Sequence, residues 1–299
     1  MKTFVLLATF LSALAIADPA SYLFPAWDSS DEVRLPIADR VQARRTTSVN
    51  WLDLVPSSDE KKEVVMVLPQ KPLLIILDAG HGGKDLGARG HYGIIEKKLC
   101  LKIAWMVKSR LEAAFREKGI LAKVILSREK DEYLSLRDRV KIANNLGADL
   151  FVSVHANSSE IEKPKGFEVY FLSAEASDAE AKRLAKIENA EPSEKPLKSK
   201  VMSILSDLQT THHVSESSEF AEVVYQSMAR SLKPNGRGVR QAPFTVLAGT
   251  SMPALLVEVG YLSHPIEAQL LKSMTYLKRL ANAISRGIFD FAIRSKRVG

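Results

Sequence analysis

The sequence predicts an α/β domain built on a mainly parallel, twisted sheet flanked by helices, and three observations carry that prediction. Runs such as "LLIIL" (73–77), "LFVSV" (150–154) and "PALLVEV" (253–259) are almost continuously apolar, as strands covered on both faces are. Between them lie segments whose apolar residues recur every three or four positions, the helical period. From about residue 72 onward the two kinds of segment alternate, which is the order a parallel sheet requires.

The elements follow in chain order. "LLIILDAGHGGKDLG" (73–87) is a central strand that ends at Asp78 and opens into glycines around His81. Leu99, Ile103, Val107 and Leu111 then recur every fourth residue on a first helix. "AKVILS" (122–127) is a strand, and "LSLRDRVKIANNLGA" (134–148) is a helix with Leu136, Val140 and Ala143 on one face, closed by Gly147. "DLFVSVHANS" (149–158) is the next strand and carries His155 at its end. "GFEVYFLS" (166–173) alternates, as a strand nearer the sheet edge does. Phe220, Val223, Val224 and Met228 mark a helix expected from near Ser217. "PALLVEVGYLSHP" (253–265) is a buried strand with Glu258 set inside it. One last helix over about 266–293 carries Leu270, Leu271, Leu277, Ile284, Ile288 and Phe291.

The ends of the chain read differently. Lys2, the apolar stretch 3–17 and the small-x-small "AIA" before Asp18 form a signal peptide, residues 1–17, too short for a membrane anchor of about 20 apolar residues. Residues 18–71, rich in Pro, Ser and charge, read as an extension or linker, with one short apolar run, "VVMVL" (64–68). The domain itself spans 72–293, and 294–299 is a basic tail. The single cysteine, Cys100, excludes a disulfide framework and a Cys-rich zinc site, and among apolar neighbours it reads as a small buried hydrophobe. A formal net charge of +7 favours an anionic surface or polymer as partner, and export excludes nucleic acid.

Four polar residues stand where apolar ones belong. His81 follows one central strand, His155 closes another, Glu258 interrupts a third, and Glu96 precedes a helix. Parallel strands bring their C-terminal ends to one edge, where open α/β proteins bind ligands. Two imidazoles and one carboxylate suffice for a catalytic zinc with a fourth position open to water. A second carboxylate then moves the proton. The bland alternative for His81 is a solvated residue in a Gly-rich turn. Asp78 either orients the His81 loop or caps the next turn, and Asn157 either holds the His155 loop or serves the turn alone. His91, beside Gly90 and Gly93, is a candidate cleft residue, whereas His212 and His213 read as solvated in a polar loop.

"LDAGHGGKDLGA", "EKKLCLKIA", "SVHANSS" and "PALLVEVGYLSHPIEAQLL", in that order, resemble the signature blocks of the zinc-dependent N-acetylmuramoyl-L-alanine amidases of the type 3 family, which are bacterial cell-wall hydrolases. The resemblance implies one zinc ion per chain, held by His81, Glu96 and His155, with Glu258 as the catalytic carboxylate. It implies peptidoglycan as the substrate, cut at the amide joining the lactyl group of N-acetylmuramic acid to L-alanine. It also implies a role in wall remodelling and daughter-cell separation; the signal peptide makes the protein an exported, periplasmic one, and it is expected as a monomer. Two departures stand out. His264 occupies a position where the family often has Asn, and it reads as a turn residue. Residues 18–70 are too short for a separate wall-binding β-domain.

The span of about 174–215 is long for a connection in a compact domain and carries helical signals of its own. Ala181, Leu184, Ala185 and Glu188 fall on one face, and Val201, Ile204, Leu205 and Leu208 repeat the spacing after "EPSEKP" (191–196). By spacing alone this is a surface helical hairpin with Glu188 at its margin. It also resembles the regulatory insertion of septal amidases, a helix covering the zinc cleft until an activator, typically of LytM type, displaces it. In that resemblance Glu188 caps the zinc. Two other functions compete: a non-catalytic wall-binding protein on the same fold, and a serine acyl-transferase, since "SDEK" (58–61) and "SREK" (127–130) match Ser-x-x-Lys.

Overall fold

Six strands and six helices account for most of the described chain, seen here in a computed structural model that describes residues 71–159, 165–191, 211–232 and 237–295. The expected signal peptide, the extension with "VVMVL" and "SDEK", the helix expected over 201–208 and residues 296–299 lie outside the described residues. The strands are β1 (Leu73–Ala79), β2 (Ala122–Leu126), β3 (Leu150–Asn157), β4 (Glu168–Leu172), β5 (Val239–Ala242) and β6 (Ala254–Tyr261). The helices are α1 (Glu96–Glu117), α2 (Leu136–Asn145), α3 (Ala179–Glu188), α4 (Thr211–Leu232), α5 (Pro265–Lys272) and α6 (Met274–Arg294), with a short 3-10 turn at His91–Gly93.

The sheet order is β2-β1-β3-β6-β4-β5, and every neighbouring pair is parallel except β4 with β6. β1, β3 and β6 are buried along their whole length, matching their unbroken apolar runs. The edge strand β5, "VRQA", went unread in the sequence. Three half-buried residues, Val239, Arg240 and Gln241, followed by the buried Ala242, show neither an apolar run nor a clean alternation.

The sheet divides the core into two unequal parts. One face packs against α1, α4 and α6 through residues such as Ile103, Phe220 and Ile288. There Phe220 and Phe291 stack at 4.5 Å, and Gly287 lets α6 approach α4 so closely that a Cβ would meet the Cα of Val224 at 2.6 Å. The other face carries a smaller cluster formed by Ala143 of α2, three residues of α3 and the Phe244–Ala248 segment.

Two boundaries differ from the sequence reading. The last helix is two helices, because Ser273 takes up an extended backbone and its hydroxyl accepts from the Tyr276 amide to start α6. α4 begins at Thr211, inside the span read as insert, so His212 and His213 lie on a helix and not in a loop. α2 starts two residues inside the span read as helix, with Ser135 Oγ accepting from the Asp138 amide.

Candidate active site

Strand alternation decides which side chains meet. On β1, β3 and β6 the side chains of Ile76, Phe151 and Leu256 enter the smaller cluster. Asp78, Ser153, His155 and Glu258 lie an even number of positions farther along the same strands, so they face the same side. The parallel ladder then sets His155 directly beside Glu258. Beyond β1 the chain turns sharply, with His81 itself at φ +59°. The glycines around it clear space. A Cβ on Gly80 would stand 2.5 Å from the His155 ring, and one on Gly87 would stand 2.6 Å from Glu96 Oε2.

His81, Glu96, His155 and Glu188 converge so that one ligand atom from each lies within 4.8 Å of the others. His81 Nε2 stands 3.0 Å from Glu96 Oε1 and 3.4 Å from Glu188 Oε2. His155 Nδ1 stands 3.4 Å and 2.9 Å from the same two oxygens. Ligand atoms about 2.0–2.1 Å from a tetrahedral ion stand roughly 3.3 Å apart, so these spacings suit a zinc-sized ion. His81 Nε2, His155 Nδ1, Glu188 Oε2 and both oxygens of Glu258 are buried without a hydrogen-bond partner. Orphaned buried polar atoms are rare in folded proteins, and an ion coordinating them would account for the first three.

The surroundings fix each group differently. The second nitrogen of His81, Nδ1, hydrogen-bonds Asp85 Oδ2 at 2.9 Å, which turns Nε2 inward. Glu96 is the first residue of α1; its Oε2 accepts from the Ala88 amide at 2.7 Å and its Oε1 from the Ala156 amide at 3.0 Å. Burial disfavours charge at Glu96, but the adjacent imidazoles of His81 and His155 outweigh it and lower its pKa. Burial likewise opposes charge on both imidazoles. The carboxylates, Glu96 first for His81 and Glu188 first for His155, nonetheless hold each at about 10 in the metal-free protein. At Glu258, burial and then the charges of Glu188 and Glu96 push the carboxyl well above its usual range.

The family model for N-acetylmuramoyl-L-alanine amidase matches residues 75–290. The chain is 36% identical over 224 residues to the N-acetylmuramoyl-L-alanine amidase AmiA of Escherichia coli strain K12, a match covering 73% of this chain and 75% of that protein. This chain belongs to the N-acetylmuramoyl-L-alanine amidase family. Among solved structures, the amidase AmiC2 of Nostoc punctiforme is similar with a TM-score of 0.57 and 31% identity, covering 74% of this chain and 98% of that one. The CwlD amidase of Clostridioides difficile, solved in complex with the GerS lipoprotein, gives 0.55 and 26% over 74% of this chain and 98% of that one. The amidase acts on peptidoglycan, hydrolysing the amide between N-acetylmuramic acid and L-alanine. That excludes the non-catalytic wall-binding alternative.

In this amidase the four sequence-singled residues and Glu188 come together, while the remaining candidates go elsewhere. His91 is exposed and hydrogen-bonds the Ser263 carbonyl at 3.0 Å. His213 sits beside Glu216 at 3.4 Å on α4. His264 precedes α5 as its cap residue, in keeping with a turn role. Asn157 reaches Glu168 Oε2 at 3.3 Å and leaves the His155 loop alone. Cys100 is fully buried, as expected. Ser127 of "SREK" donates its hydroxyl to Asp78 while Lys130 lies exposed beside Glu132, so this motif forms no serine site. Asp85 was missed, although "HGGKD" sets an acid four residues after His81. The Glu168 network, in which a buried carboxylate meets Tyr170, Tyr261 and Arg237, gave no sequence signal beyond one Glu in an alternating strand.

Proposed function

We propose that this amidase is a zinc enzyme in which His81, Glu96 and His155 hold the metal, Glu258 handles the proton, and Glu188 caps the site. The observation that carries the reading is the set of orphaned, inward-facing atoms at ligand spacing. When bound, zinc supplies Lewis acidity, polarising an amide carbonyl and bringing the pKa of water to about 7. Glu258 accepts the proton of the attacking water on its carboxylate and passes it to the nitrogen of the leaving L-alanine. Burial and the neighbouring carboxylates raise its pKa, which favours a carboxyl that can hold the proton it has accepted. Gly80 and Gly87 keep the space around His155 and Glu96 open to these side chains.

Four ligands make a closed, structural type of site, whereas catalysis needs one open position. Glu188 completes the four, so the conformation described is the restrained one. A carboxylate tethered on α3 competes with substrate at high effective concentration, and an activator need only favour the displaced state. We assign that role to a LytM-type protein. The complex of the CwlD amidase with GerS supports the idea that this fold accepts a protein partner. Residues 1–17 as a signal peptide, 18–71 as a linker, a periplasmic location and a role in daughter-cell separation complete the reading. None of the described helices is long and apolar enough to cross a membrane.

Digestion of purified cell wall, followed by mass analysis of the products with and without a chelator, tests the proposal. Free N-terminal L-alanine on released stem peptides, lost on chelation and restored by zinc, is the expected outcome. Hydrolysis that survives complete metal removal would reject the zinc assignment.

A further inference from the structure

The two segments that present His81 and Glu96 are tied together from behind by buried guanidinium groups. Arg128, just past β2, is 1% exposed, and among the described residues no carboxylate stands within ion-pair distance of it. It donates instead to four main-chain carbonyls. Nε reaches Ala79 O at 2.9 Å, Nη1 reaches Lys130 O at 3.1 Å, and Nη2 reaches Gly80 O at 2.7 Å and Lys97 O at 2.8 Å. One nitrogen thus bridges the carbonyl just before His81 and the carbonyl just after Glu96.

Arg139, on α2 and 2% exposed, completes the hold. Its Nη1 donates to Ala79 O at 2.7 Å and to Asp78 Oδ1 at 2.8 Å, and its Nη2 donates to His81 O at 2.7 Å. Asp78 in turn accepts from the hydroxyls of Ser127 and Ser153, tying β1 to β2 and β3. Carbonyls 79, 80 and 81 are therefore each gripped by a guanidinium. The grip falls where the chain leaves the sheet and where His81 adopts φ +59°, a conformation that residues other than glycine rarely take unaided.

Filling this volume would not require a charge. Burying the Arg128 guanidinium with no acid at ion-pair distance is unfavourable, and apolar side chains usually serve packing as well. Lysine could not substitute, because a compact ammonium lacks the planar fork that spans carbonyls from two segments. We propose that Arg128 and Arg139 are positioning residues for the metal, holding the His81 and Glu96 segments at ligand distance before the ion arrives. The inference rests on the zinc reading above. Partners behind metal ligands typically change affinity by about 10–100-fold when altered.

The test measures zinc Kd by chelator competition on the metal-free full chain, alongside its melting temperature and the visible spectrum of the cobalt(II)-substituted protein. The unaltered chain is compared with Arg128→Lys and Arg139→Lys. The expected result is a folded variant whose zinc Kd is about 10–100-fold weaker and whose cobalt bands are shifted. A Kd within about threefold of the unaltered chain and an unchanged cobalt spectrum, whatever the melting temperature does, would overturn the proposal. If one variant fails to fold, the other decides; loss of folding in both assigns the arginines to the fold and overturns it as well. An unaltered chain that binds no zinc defeats the zinc reading itself, a different outcome from tight binding that the variants leave untouched.

Discussion

α1 and α3 each deliver one glutamate to the same four-residue group, and they do so in opposite ways. α1 is 22 residues long and buries a stripe from Leu99 to Phe115 in the larger core. Glu96 is its first residue, and both carboxylate oxygens accept main-chain amides. α3 has 10 residues, buries only Ala181, Leu184 and Ala185, and carries Glu188 as its last residue. Glu188 Oε2 has no hydrogen-bond partner. What holds α3 otherwise is polar and peripheral: Asp178 caps its start and pairs with Arg240, and Arg183 donates to Ser158 O at 2.9 Å. Beyond its end, Asn189 bonds the Pro243 carbonyl and the Thr245 amide, and Glu191 accepts from the amide that opens α2. A ligand built into the fold and a ligand brought by a small, separately held helix differ in what it takes to remove them. Under the proposed function, that difference separates a permanent ligand from a removable cap.

The imidazoles face both glutamates, so their removal is the harshest way to break the comparison. His81→Ala or His155→Ala is expected to abolish zinc binding and to lower wall hydrolysis at least about 1,000-fold, checked by metal analysis and a dye-release assay. Glu258→Gln is expected to lose at least about 100-fold in rate with zinc content unchanged. A variant with normal turnover would remove Glu258 from the mechanism.

Proton linkage sharpens the same contrast in the metal-free protein. With His81 and His155 held at about 10 when folded against the 6.5 of an ordinary imidazole, their contribution to stability is full below 6.5 and is lost as pH rises toward 10. Zinc affinity runs the other way over that window, because both imidazoles must shed protons to bind. Titration of Kd against pH is expected to tighten by up to about 100-fold per pH unit, and a flat profile would contradict the ligand assignment.

The smallest expected effect compares packing. Ile103→Ala in α1 removes a fully buried side chain from the larger core and is expected to destabilise the whole domain by about 2–5 kcal/mol. Leu184→Ala in α3 is expected to loosen that helix locally, with a smaller shift in melting temperature and a higher basal rate. Equal effects on global stability would mean that α3 is an integral part of the core.

Much of this was legible in the sequence, for physical reasons that differ from residue to residue. β1, β3 and β6 are buried on both faces, so their apolar runs announced them, and His155 and Glu258 stood out as interruptions. Strand parity then brought those two together without further information. Helical spacing set Glu188 on a small apolar face but read it as a surface residue, and only the resemblance to the septal amidases pointed it toward the metal group. β5 was illegible because a four-residue edge strand with only Ala242 fully buried needs no pattern. The break at Ser273 was hidden because one serine cap replaces a full turn without disturbing the apolar period on either side. Arg128 and Arg139 were equally hidden: an arginine that bonds main-chain carbonyls looks, in sequence, like any arginine on a surface.

The contrast between the two glutamates is tested most directly by Glu96→Ala and Glu188→Ala measured side by side for zinc content and wall-hydrolysis rate. Glu188→Ala is expected to keep about one zinc per chain and to work at least about tenfold faster, in line with a competent state of roughly 10% or less in the unaltered protein. Glu96→Ala is expected to lose both metal and activity. Loss of zinc from Glu188→Ala, or a rate no higher than that of the unaltered protein with zinc and folding intact, would contradict the assignment of Glu188 as a removable cap.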